Sequence, residues 1–208
     1  MALFITFEGG EGCGKSVQAR ALYRRLSKLA IPAILTHEPG STPFGNKLGR
    51  WLKWAQDKDI SPLTELLLFN ASRAQLVNEV IQPNLEAGKV VICDRYADST
   101  TAYQSYGRGL DLEMVKAVNN AATQGLKPDL TVLLDISAEE GLARIKARRR
   151  DRFEQEDVAF HQQVRDGYLK LAADEPQRWL VIDATQSKEK IAEIIWQRVS
   201  QLLPRQGD

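Results

Sequence analysis

Leu3-Phe4-Ile5-Thr6-Phe7-Glu8-Gly9-Gly10-Glu11-Gly12-Cys13-Gly14-Lys15-Ser16-Val17 is the stretch that decides the fold. Its first six residues form a short apolar run ending in glycines, which reads as a buried strand. The next eight fit G-x-x-x-x-G-K-[ST], and Lys15–Leu29 carries Ala19, Leu22, Leu26 and Leu29 at helical spacing. Strand, glycine loop and helix form the context in which this pattern binds a nucleoside triphosphate. Glycines let backbone N–H groups turn inward around phosphate oxygens with no Cβ in the way, and the helix N-terminus adds its positive end. Lys15 is then placed for the β- and γ-phosphates, and Ser16 Oγ for Mg²⁺. The loop says nothing about the phosphate acceptor.

The rest of the chain repeats the alternation. Pro32–Thr36, Lys89–Asp94, Leu130–Asp135 and Trp179–Asp183 read as strands. A Pro/Gly/Ser loop follows the second strand. Ser61-Pro62 has the form of an N-cap followed by proline at the first helical position, opening a long helix to about Ala87 that Gly88 ends. Asp111 is expected to cap a helix stopping near Gly125, and further helices fill 138–149, 156–173 and 187–203. Mostly continuous apolar strands alternating with helices predict an α/β fold in three layers: a five-stranded parallel sheet with helices on both faces. The strand order is not legible from the pattern. No linker or repeat divides the 208 residues, so one P-loop kinase domain, 1–208, is expected.

Composition excludes more than it assigns. A net charge of +1 gives no global reason to expect a nucleic-acid or membrane partner. No apolar run approaches the roughly 18–20 residues of a membrane helix. Met1–Thr6 has no basic n-region, so no signal peptide is expected. Two cysteines, Cys13 and Cys93, make no disulfide framework, and a cytoplasmic location is the natural expectation. Cys13, just before a helix N-terminus, is expected to be the more reactive thiol.

Val90–Asp94 is an apolar strand ending in a carboxylate, at the end of the strand where parallel sheets build their sites. Asp94 is a candidate to hold Mg²⁺ through water or to orient the acceptor, and Arg95 beside it favours a role with the acceptor phosphate. A GTPase would need N-K-x-D and D-x-x-G; Asn46-Lys47-Leu48-Gly49 lacks the aspartate, and no D-x-x-G occurs. Six basic residues, Arg144, Lys146, Arg148, Arg149, Arg150 and Arg152, crowd one segment. Such a run is either a solvated helix face or, in a small P-loop protein, an arginine-rich lid at about 144–156 that brings cations to the transferring phosphoryl group.

Taken together, Glu8-Gly9 with the phosphate loop, Glu38-Pro39-Gly40-Ser41-Thr42, Leu68-Phe69-Asn70-Ala71-Ser72-Arg73, Asp94-Arg95-Tyr96 with Ser99 through Tyr103-Gln104, Pro128-Asp129-Leu130-Thr131 and Asp151-Arg152-Phe153-Glu154 resemble the thymidylate kinase family, in its order and over nearly the whole chain. The resemblance implies transfer of the γ-phosphate of ATP to dTMP, with Mg²⁺, by a homodimer. It places Gly9, Gly10, Glu11, Gly12, Cys13, Gly14, Lys15, Ser16 and Val17 around the ATP phosphates. It places Glu38, Pro39, Phe69, Arg73, Asp94, Arg95, Ser99, Thr100, Thr101, Tyr103 and Gln104 around dTMP, and Ser16 and Asp94 at the metal. Phe69 would stack on thymine, Arg73 would contact the base and the acceptor phosphate, and Arg95 would hold that phosphate. Thr100 and Thr101 would meet the base edge, and Tyr103 would pack near C2′. With Gly12 where some relatives carry a basic residue, Lys15, Arg95, Arg149 and Arg152 are the candidate catalytic cations, as in the bacterial type that keeps its arginines in the lid.

The chain departs from the family pattern at His37 and Ser41, where Arg and Gly are usual, and at Asn46 and Gly49, where an acidic residue and an arginine often stand. Two other readings stay open. A kinase acting on a nucleoside or another monophosphate would resemble this chain, with Glu8 as the base for a sugar hydroxyl. A nucleotide-binding module without activity would keep the loop alone.

Overall fold

A computed structural model describes residues 2–54, 60–145 and 151–203. Five parallel strands, β1 (Leu3–Glu8), β2 (Ala33–His37), β3 (Val90–Asp94), β4 (Leu130–Asp135) and β5 (Trp179–Asp183), form one sheet in the order β2-β3-β1-β4-β5. The register sets Phe7 opposite Asp94 and Glu8 opposite Leu133, so the ends of β1, β3 and β4 open on one edge. Strand alternation separates two apolar faces. Leu3, Ile5 and Phe7 pack with Leu22 and Leu26 of α1 (Lys15–Lys28). Phe4 turns to the other face, with Leu76, Ile81 and Tyr96. Both faces are covered, as the continuous apolar strands required.

Helices α2 (Pro43–Trp54) and α3 (Pro62–Leu76) follow β2. Ser61 Oγ accepts from Thr64 N and caps α3, with Pro62 in the first turn. The long helix predicted from there runs through a π turn, Val77–Ile81, into α4 (Gln82–Glu86) and ends at Ala87 and Gly88. Pro83 lacks an N–H, which relaxes the hydrogen-bond ladder where the π turn lies. A short α5 (Ala97–Thr100) passes into a π segment, Thr101–Gly107, before α6 (Leu112–Thr123), which Asp111 caps by accepting from Met114 N. After β4 come α7 (Ala138–Arg144), α8 (Val158–Asp174) and, beyond β5, α9 (Lys188–Leu202). Among the described residues no helix is long and apolar enough to cross a membrane.

Two helical stretches that the sequence reading left unassigned have physical causes. The stretch 43–54 is a helix, where the sequence reading named only a Pro/Gly/Ser loop after the second strand. A Cβ on Gly45 would stand 2.8 Å from Ser72 Oγ, and one on Gly49 would stand 2.9 Å from Pro39 O. The glycines let α2 lie against α3 and the loop after β2. Residues 97–107 are helical despite β-branched Thr100 and Thr101, because the segment is buried between α6 and α8. Of the helix predicted over 138–149, Ala138–Arg144 is helical and Ile145 is in a turn, while 146–149 lie outside the described residues.

The phosphate loop itself is packed from outside. At Gly12, φ is 69°, and a Cβ there would meet Gly141 O of α7 at 2.1 Å; at Gly10 an added Cβ meets nothing within 4 Å. Gly12→Ala is expected to destabilise the fold by about 1–3 kcal/mol or to displace α7, since backbone atoms cannot rotate away as a side chain would. Gly10→Ala is expected to stay within about 0.5 kcal/mol of wild type. Urea unfolding of the two variants checks the pair.

Candidate active site

The loop from Gly9 to Gly14 leads into α1, whose N-terminus has no side-chain cap. A helix start left open in this way is a ready site for an anion. Lys15 Nζ donates to Gly9 O at 3.0 Å and Gly10 O at 2.7 Å. Ser16 Oγ donates to Asp94 Oδ2, joining the loop to the end of β3. A hydroxyl and a carboxylate side by side are hard oxygen donors of the kind Mg²⁺ takes alongside substrate phosphates. Among the described residues no group of three or more His, Cys, Asp or Glu forms a protein metal cage, and a phosphate-bound Mg²⁺ needs none.

Arg95 follows with φ 73°, a left-handed conformation rare for an arginine. Its backbone N–H donates to Phe7 O. Its guanidinium donates to Gly9 O, Ser99 Oγ, Tyr103 Oη and Tyr168 Oη, and to Glu11 Oε1 at 2.6 Å. Tyr103 Oη also donates to Glu11, at 2.6 Å. Burial works to raise the Glu11 pKa, but Arg95 and Lys15 outweigh it and bring the carboxyl down to about 2.

These groups line a cavity of about 700 Å³. Glu11, Gly12, Gly14, Lys15, Ser16 and Val17 line its phosphate end, Asp94, Arg95, Ser99 and Tyr103 adjoin them, and Glu38, Pro39, Phe69, Arg73, Thr100 and Gln104 form the rest of its wall. Phe69 is half-buried, and its ring centroid lies 5.6 Å from that of Phe153. Arg73 is 1% exposed and wholly engaged with protein: Glu38, Asn70, Asn119, Tyr96 O and Thr100 accept from it. Glu38 turns one oxygen to Arg73; its Oε1 is buried without a hydrogen-bond partner. Burial raises the Glu38 pKa against the pull of Arg73.

Several predicted residues stand elsewhere. Gly9 and Gly10 contribute carbonyls to Lys15 rather than cavity surface. Cys13 is 3% exposed within the apolar core, so the accessible, reactive thiol expected from its sequence position is not what the fold presents. Thr101 does not line the cavity: its hydroxyl donates to Ala97 O and accepts from Asn119 Nδ2. Arg152 is also away from the cavity, paired with Glu65 and donating through Nε to Leu52 O. It therefore does not sit on a solvated helix face either. Arg149 lies outside the described residues. From the lid region Arg144, Ile145, Asp151, Phe153 and Glu154 reach the cavity.

Glu8 is fully buried and is not part of the cavity lining. It accepts from Tyr96 N at 2.7 Å, Ser99 Oγ at 2.5 Å and Tyr168 Oη at 2.9 Å. That position does not suit a base for a bound sugar hydroxyl. Tyr168 is the residue the sequence reading missed. In α8 it follows Phe160 and Val164 at spacings of four, so it reads as one more core position, and its hydroxyl's reach to Arg95 is invisible in a periodicity.

The departures from the family pattern hold one another. Ser41, at φ 64° where glycine is usual, accepts from His37 N at 2.9 Å and lies 2.9 Å from His37 Nδ1. Its own N–H donates to Asn46 Oδ1 at 3.1 Å.

A phosphate loop and a strand-end carboxylate at adjacent parallel strands, facing a separate aromatic and polar wall, belong to a P-loop kinase of nucleoside monophosphates. The family model described as "Thymidylate kinase" matches residues 7–195. A thymidylate kinase of Dehalococcoides mccartyi is 56% identical over 203 residues, covering 98% of each chain. One of Roseiflexus castenholzii is 50% identical over 94% of this chain and 91% of its own. The crystal structure of thymidylate kinase from Ehrlichia chaffeensis superposes with a TM-score of 0.78 at 31% identity, over 97% of this chain and 99% of that one. The chain belongs to the thymidylate kinase family.

Burial, reinforced by the charge of Asp98, raises the Glu8 pKa from 4.5 to about 7. Between those values the native state holds a proton that the unfolded chain has released, so stability falls as pH rises through the window. Glu8→Gln is expected to remove this slope. Its stability relative to wild type should grow by on the order of 3 kcal/mol from pH 4.5 to above 7. Urea unfolding at a series of pH values checks it; parallel profiles for the two proteins would refute the burial argument.

Proposed function

We propose that this chain transfers the γ-phosphate of ATP to dTMP, giving ADP and dTDP. The observation that carries the reading is the two-ended cavity: an anion-binding loop at one end and, within the same 700 Å³, Phe69, Thr100 and Gln104 at the other. Family membership supports the same substrates. In this reading Gly9 through Val17 wrap the ATP phosphates, and Lys15 exchanges the loop carbonyls for the β- and γ-phosphates. Arg95, already aimed by four side chains, holds the acceptor phosphate in line. An oxygen of that phosphate forms the new bond to the γ-phosphorus as the bond to the β–γ bridging oxygen breaks, its electron pair leaving with ADP. No side chain acts as a nucleophile; the protein's work is positioning and charge stabilisation. Ser16 and Asp94 would hold Mg²⁺, which when bound neutralises charge on the transferring phosphates.

At the acceptor, Phe69 stacks on the base, Thr100 and Gln104 meet its edge, Tyr103 packs near C2′, and the unpartnered oxygen of Glu38 offers a hydrogen-bond acceptor. Arg149 is the proposed lid cation, within a lid at about 144–156 of a single domain; Arg152, which Glu65 holds outside the cavity, is not one. Nothing in the site calls for a location other than the cytoplasm. Pairing of two copies is supported by neighbouring stripes on α2 and α3. Phe44 and Trp51 are 48% and 42% exposed, and Leu63 and Leu67 are 45% and 50% exposed.

Coupled-assay turnover with dTMP, set against thymidine and other monophosphates, tests the assignment; turnover of thymidine alone would reverse it. Phe69→Ala is expected to raise KM for dTMP by about tenfold or more, since base stacking is worth roughly 1–3 kcal/mol, and to leave KM for ATP nearly unchanged. Equal effects on both substrates would make Phe69 a packing residue. Leu67→Glu is expected to yield a monomer by sedimentation where wild type sediments as a dimer.

A further inference from the structure

Glu65 sits in the first turn of α3, completely buried, and the reading above gives it no task. Its two oxygens hold groups from separate elements. Oε1 accepts from Gln104 Nε2 at 2.6 Å and from Arg108 Nε at 3.4 Å. Oε2 accepts from Arg152 Nη2. Gln104 belongs to the π segment and lines the cavity. Arg152 is the last residue of the basic run, and its backbone N–H donates to Lys53 O at the end of α2. Arg108 extends the link, pairing with Glu156 at 2.6 Å. One buried carboxylate therefore receives the lid on one oxygen and a wall of the acceptor pocket on the other.

A carboxylate offers only acceptors to these partners, so Gln104 must present its NH₂ to Glu65. That fixes the other end of the amide as a carbonyl oxygen, which no described residue hydrogen-bonds. A fixed acceptor against a base edge selects a ring N–H. Thymine carries one at N3; cytosine carries a lone pair there. We propose that Glu65 is a positioning residue that holds Gln104 as an acceptor for the ring N–H of the base and, through Arg152, makes that orientation depend on the seated lid. Base selection and lid docking then share one carboxylate: when Arg152 leaves, Oε2 loses its partner, and the carboxylate is free to turn away from Gln104.

The inference rests on dTMP being the acceptor, and the test separates the two. The kcat/KM ratio of dTMP to dCMP is measured for wild type, Glu65→Gln, Arg152→Met and the double variant. A wild type that does not phosphorylate dTMP sinks the functional reading itself. Given wild-type activity, Glu65→Gln should lower the ratio about tenfold, the worth of one well-aimed hydrogen bond, with KM for ATP unchanged. Arg152→Met, altered outside the cavity lining, should lower the same ratio, and the double variant should fall little further than the larger single effect. A folded Glu65→Gln with an unchanged ratio overturns the proposal. So does an Arg152→Met that slows both substrates alike, or a double variant whose losses are additive. Should Glu65→Gln fail to fold, the Arg152→Met ratio alone decides.

Discussion

The ion pair between Arg95 and Glu11 is the joint on which the site depends. The phosphate loop and the turn after β3 are far apart in the chain and adjacent only because β1 and β3 pair in parallel. Packing brings them near; the pair aims them. Around it, Arg95 collects Ser99 from α5, Tyr103 from the π segment and Tyr168 from α8. A guanidinium drawn partly out of water is tolerable only with such partners, and they in turn are held in one arrangement by it. The left-handed backbone at Arg95 is sustained the same way, by surroundings that leave it no alternative.

The alternation of strands and helices was legible because both faces of the sheet are covered, which turns strands into apolar runs with clear ends. The loop was legible because phosphate binding demands backbone without Cβ at fixed positions. The helix 43–54 was not, since Gly45 and Gly49 serve close contact between elements, and a contact surface leaves no local signature. The π segment escaped for a related reason: burial between α6 and α8 overrides the weak helical preference of Thr100 and Thr101.

At the cavity, residue type pointed to the right neighbourhood and missed the orientation. Thr101 and Thr100 are adjacent, yet a helical turn sends one to Asn119 and the other to the cavity wall. Arg73 was read as a substrate contact and is the most enclosed arginine of the wall, its donors spent on protein. Glu65 shows the converse. An acid in the first turn of a helix needs no explanation beyond the helix dipole, so nothing in the sequence marks it as the meeting point of Arg152 and Gln104. His37, Ser41 and Asn46 looked like three separate departures from the family pattern. Hydrogen bonds make them one joint change, with Ser41 accepting a strained φ in return for contacts that glycine could not make.

The contact between Gly12 and α7 has an evolutionary consequence. A relative that carries its catalytic cation inside the phosphate loop cannot be reached from this chain by one substitution, because the obstacle to a side chain at 12 is the main chain of Gly141 rather than anything a second side-chain change could trim. The helix would have to move first, and until the loop carried the cation that movement would bring no gain. Position 12 and the placement of α7 are thus bound by epistasis, and the loop stays closed to a cationic side chain until the helix has moved.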